Sequence, residues 1–102
     1  MKKFIAITAA LLISGATLEA HAQYSECQSA ERLATVIMEA RQNGVPMSGL
    51  MEIAGDNGLV QEMVLEAYRT PSYTTHSVQQ RVIRDFADKY YRICVEVFRA
   101  TE

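Results

Sequence analysis

The chain has 102 residues, a formal net charge of −2 and hydrophobic residues at 49%, enough for one small domain and too little for a large core. It carries no run of arginines interleaved with aromatics and no polybasic stretch, so neither nucleic acid nor an anionic membrane surface is expected as a partner. Its two cysteines have no nearby histidine pair, since His21 lies in the stretch expected to be cleaved, so the ligand count of a structural zinc site is lacking and no metal or other cofactor is expected.

Met1 to Ala22 reads as a cleaved secretory signal. Lys2 and Lys3 give a positive start, Phe4 to Ile13 is apolar apart from Thr8, and Ala20-His21-Ala22 supplies an A-x-A cleavage site ahead of Gln23. A helix over that apolar run spans about 15 Å, half the roughly 30 Å hydrocarbon layer, so export is expected rather than anchoring. The mature protein is then a single helical domain, residues 23–102, periplasmic or secreted, with no stable membrane anchor after cleavage. Loss of Lys2, Lys3 and Glu19 takes the net charge from −2 to −3 and leaves Lys89 as the one lysine. His76 is the one remaining histidine.

A domain this small needs a staple, and Cys27 and Cys94 are the available pair. A disulfide between them stabilises the fold by roughly 4 kcal/mol through chain entropy. A bridge between two chains is the alternative, and the wide separation of the pair excludes a C-x-x-C redox motif.

Helical periodicity dominates the mature chain. Residues 26 to 43 place Cys27, Ala30, Leu33, Ala34, Ile37, Met38 and Ala40 on one face, with Gln28, Glu31, Arg32, Thr35, Glu39 and Gln42 opposite. Ser25 and Gln28 have capping-box spacing, while Gly44 and Pro46 specify the end. A short second helix, about Met47 to Ala54, turns Met47, Leu50, Met51 and Ala54 to one side. Gly55-Asp56-Asn57-Gly58 breaks the chain, and Asp56 or Asn57 can cap the helix from Leu59 to Arg69. That third helix aligns Val60, Met63, Val64, Ala67 and Tyr68, and Thr70-Pro71-Ser72 stops it. The last helix runs from about Thr75 to Arg99 with Ile83, Phe86, Ala87, Tyr90, Cys94, Val97 and Phe98 in one stripe.

No strand-like alternation is present, so the predicted class is all-α. Bridged Cα atoms must lie within about 7 Å. Cys27 opens the first helix and Cys94 lies late in the last, so those helices are predicted to be antiparallel. The break at Gly55 to Gly58 then gives an up-down-up-down bundle with a short second member.

This topology brings Arg41, at the end of the first helix, towards His76 and Gln79, at the start of the last, with Tyr68 nearby. A guanidinium fork and an imidazole there can bind a carboxylate or phosphate, and histidine can move protons near neutral pH. Helix-end packing explains the same residues more simply and is the expected outcome. Asp85 with Asp88, and Glu62 with Glu66, lie on solvated faces and do not suggest paired catalytic carboxylates. Thr74, Thr75 and Ser77 fit capping better than nucleophilic catalysis, since no G-x-S-x-G elbow accompanies them. Met38, Met47, Met51 and Met63 can line an adaptable groove, although methionine at helical spacing ordinarily fills a core. Val36 and Leu65 fall away from the apolar faces of their helices.

Cys27, the run Ile37-Met38-Glu39-Ala40-Arg41-Gln42-Asn43-Gly44-Val45-Pro46, Ala67-Tyr68 with Pro71, and finally Phe86 and Cys94 make up a pattern over most of the mature chain. It resembles a group of small exported two-cysteine helical proteins of bacteria and their prophages. Its motifs are structural, so the resemblance implies a frame and no activity. A non-enzymatic envelope protein that binds, protects or neutralises another protein is the favoured expectation. A small-ligand carrier using the methionine-lined core or the Arg41 and His76 end is the alternative. An enzyme is disfavoured because acid, base and metal constellations are missing.

Overall fold

The computed structural model describes residues 25–101, which form four helices and no strand. The expected signal over Met1 to Ala22 lies outside the described residues. Helix α1 spans 25–42, α2 Met47–Ala54, α3 Gly58–Arg69 and α4 His76–Ala100. Residue 25 is already helical, so Ser25 is not the cap its spacing with Gln28 implies. Its carbonyl instead accepts from the Ser29 hydroxyl.

Each boundary has a local cause. Gly44 adopts φ +82°, its N–H donates to the Arg41 carbonyl, and the Val45 N–H donates to the Ala40 carbonyl. This is a Schellman closure, which a residue bearing a Cβ resists because of the left-handed backbone. Pro46 then sits at the N-cap of α2, where its missing N–H costs nothing. Gly55 ends α2 at φ 56°, and the Asn57 side chain caps α3 by accepting from the Val60 N–H at 3.2 Å. Between the two capping candidates, the chain therefore uses Asn57.

The core lies between α1, α3 and α4. Ala34, Ile37 and Met38 meet Met63, Val64, Ala67, Ile83, Phe86 and Tyr90, while Leu50 and Met51 of α2 pack at its margin. Phe86 and Tyr90 touch edge to face, with ring centroids 5.0 Å apart. Met38 and Met63 are fully buried, so these methionines fill the core as their helical spacing predicts. Met47 differs from expectation by being exposed, because α2 is too short for its first turn to reach the core.

Cys27 and Cys94 are bridged, with Cα atoms 5.4 Å apart. At the other end of the same helices, the Gln79 side chain reaches the Gln42 carbonyl. These two ties fix α1 and α4 as antiparallel. Arg41 of α1 meets Thr70 just past α3, so those helices run in the same sense and the up-down-up-down order holds.

The helices differ in length, and this sets the shape of the molecule's surface. At about 1.5 Å per residue, α4 is about 37 Å long and α1 about 27 Å, against about 18 Å for α3 and about 12 Å for α2. Four helices surround the core only towards the end where α1 stops and α4 starts. Ala30, Leu33 and Ile93 still pack against this core, and beyond them, among the described residues, α1 and α4 continue as a pair at the disulfide. Val97 was expected inside on the α4 stripe, but it is 57% exposed, since no described helix remains to cover it, and Phe98 is half-buried.

Candidate functional site

At the end remote from the disulfide, the polar groups converge on the connection between α3 and α4. The Arg41 Nε donates to the Thr70 carbonyl at 2.9 Å, and its guanidinium lies 5.0 Å from the centroid of the Tyr68 ring. The Tyr68 hydroxyl donates to the Val45 carbonyl. Burial raises the Tyr68 pKa, and the positive charge of Arg41 partly offsets that rise.

Gln42 is the centre of this end. Only 5% exposed, it donates through Nε2 to the Pro71 carbonyl at 2.9 Å and accepts the Tyr73 N–H through Oε1 at 2.8 Å. The Gln79 amide donates to the Gln42 carbonyl at 3.4 Å and to the Tyr73 carbonyl at 2.6 Å. Residues 70–75 are irregular and need outside partners for their backbone groups, which α1 and α4 supply.

The sequence placed Gln42 on the solvated face of α1, and that expectation fails. Its signal was position: it stands one turn after Met38, itself one turn after Ala34, immediately before a helix stop and opposite a proline-bearing connection. Arg41, Tyr68 and Gln79 do gather here. Each hydrogen-bonds a backbone carbonyl, and Arg41 also stacks on the Tyr68 ring. His76 opens α4 at an exposed position, with no hydrogen bond or ion pair among the described residues, and does not join them. The arrangement is a clasp in which the Arg41 Nε, the Tyr68 hydroxyl and the Gln42 and Gln79 amides hold backbone carbonyls of the fold.

The disulfide end is different. The unequal helix lengths leave a groove of about 290 Å³ between the start of α1, the start of α3 and the end of α4. Ala30, Leu59, Met63, Ile93, Val97 and Phe98 line it, with Glu26 at its edge. Leu59 is 58% exposed although large and apolar. Tyr90 also lines the groove, but its hydroxyl donates to Glu66, which pairs with Lys89, and both of these line a separate concavity with Met38 and Phe86. Burial pushes the Tyr90 pKa up, the nearby Glu62 carboxylate pushes it further, and Arg69 opposes them. The tyrosine stays protonated and its one proton is engaged by Glu66.

No family model, curated protein or solved structure matches this chain. The likeness to exported two-cysteine helical proteins therefore rests on the sequence pattern alone. Among the described residues, no helix is long and apolar enough to cross a membrane.

Proposed function

We propose that this chain is a non-enzymatic, exported interaction protein of the cell envelope, and that it binds another protein through the groove at its disulfide end. The observation that carries this reading is the uncovered apolar surface there. Leu59 and Val97 stand more than half exposed beside a concavity, which distinguishes them from an apolar residue scattered singly on a surface. At the polar end the Arg41 Nε and the Gln42 and Gln79 amides are engaged with backbone carbonyls of the fold, which favours the groove. The bridged cysteines suit an oxidising compartment, and the signal-like start of the sequence suits export.

A photo-crosslinking side chain at Val97 tests the reading, with the same group at Ile53, an 81% exposed apolar position on α2, as the control. Envelope-fraction protein is expected to give one adduct of discrete mass from Val97 and none from Ile53. Adducts from Ile53 alone, or none from either, contradict it.

A small-ligand carrier is the second reading, favoured by a groove volume at the lower edge of the roughly 300 to 1,000 Å³ usual for ligand sites. Native mass spectrometry separates the two: a carrier retains a small added mass that Val97→Asp removes.

A further inference from the structure

Resting on that reading, we infer that the groove receives an amphipathic helix of the partner protein, with lysine or arginine flanking its apolar face. The first argument is shape. The ends of α1 and α3 lie level at Arg41 and Thr70, so α1 outruns the start of α3 by about 9 Å at 1.5 Å per residue, and among the described residues the bundle lacks its third wall over one to two helical turns. The vacancy begins at Leu59 and Met63, in the first turns of α3, and is floored by Ala30, Ile93 and Val97. One or two turns of a helix fit such a seat, inserting apolar side chains at i, i+3 and i+4 spacing.

The second argument is charge. Glu26 lies at the groove's edge, and Glu62 follows the lining residue Leu59 by three positions, one turn along α3. Glu96 adjoins Val97 and stands one turn from Ile93, which places it on the flank of the same stripe. All three are exposed, and among the described residues the one ion pair is Lys89 with Glu66. The nearest cations on α4 lie elsewhere: Arg92 faces Asp85 and Asp88, and Arg99, two residues from Val97, points about 200° around the helix from it. An apolar seat with an acidic rim selects a basic amphipathic segment and repels an acidic one.

The probes are two labelled 14-residue helical peptides with the same leucine face, one flanked by lysines and one by glutamates. They are titrated by fluorescence anisotropy into the oxidised protein purified from the envelope. The lysine peptide is expected to bind, and Val97→Asp or Leu59→Asp to weaken it by about tenfold; both sites are exposed, so the fold survives. Ile53→Asp is expected to leave binding unchanged. Glu26→Gln with Glu62→Gln is expected to weaken it and flatten its salt dependence. Equal binding of the glutamate peptide overturns the charge assignment, and binding indifferent to Val97→Asp overturns the seat. Self-association that Val97→Asp abolishes, with neither peptide bound, assigns the groove to a second copy and also overturns the proposal. If the lysine peptide fails while the Val97 crosslink persists, the partner chemistry falls and the interaction reading stands.

Discussion

Gln42 shows how one polar side chain acts when it is buried at a helix end. Its amide satisfies a carbonyl and an N–H of a segment that has no regular partners, so removing it exposes both groups' needs at once. Gln42→Ala is expected to lower stability by about 1 to 2 kcal/mol in urea denaturation, whereas His76→Ala should stay within about 0.5 kcal/mol. Arg41→Ala should cost about 1 kcal/mol through its bond to Thr70 and its contact with Tyr68, with no loss of partner binding. Tyr68 and Tyr90 add a pH dependence with a definite sign. Their folded pKa values lie above the ordinary 10.0, so the fold favours the protonated phenol. That stability is fully present below pH 10 and is lost as pH rises from there through the raised values. Tyr90→Phe, weaker at neutral pH for lack of the bond to Glu66, is expected to lose less than the parent between pH 9 and pH 11 in the same measurement.

Two glycines separate conformational need from mere tolerance among the elements. Gly44 closes α1 in the left-handed region, and an added Cβ there meets no atom within 4 Å, so its substitution is opposed by backbone strain alone. Gly44→Ala should cost about 1 to 2 kcal/mol. Gly49 lies inside α2 with equally open surroundings and no such backbone, so Gly49→Ala should stabilise by about 0.5 to 1 kcal/mol. Thermal unfolding of the pair is expected to move in opposite directions. The four helices were legible because strong local punctuation bounds them: Gly44 with Pro46, Gly55 to Gly58, and Thr70 to Ser72. Periodicity also identified the buried faces of α3 and α4 as far as Tyr90. It did not reveal that Val97 is exposed, because a stripe records which face turns inward and not how far the neighbouring helices extend. Gln42 was illegible for a related reason: its burial comes from residues 70–75, which are distant in sequence.

At the scale of the whole molecule, the disulfide stands beyond the main core cluster, with Cys27 itself fully buried against α4. The buried cluster stops at Ala34 and Tyr90, yet α1 and α4 stay paired as far as Cys27 and Cys94. The bridge therefore holds two helices together across an open apolar groove, and replacing either cysteine by serine should lower stability by about 2 to 5 kcal/mol. The cysteine pairing was the part of the tertiary structure most accessible from sequence, since two cysteines in so small a chain leave few choices. The groove was not accessible, since it depends on the difference between helix lengths in three dimensions.

Amide hydrogen exchange on the oxidised and the reduced protein tests this division most directly. Reduction is expected to remove protection first and most from residues 27–33 and 91–100, with 34–38, 63–67 and 83–90 losing less. An equal loss across all these segments would contradict a packed half joined to a disulfide-held half.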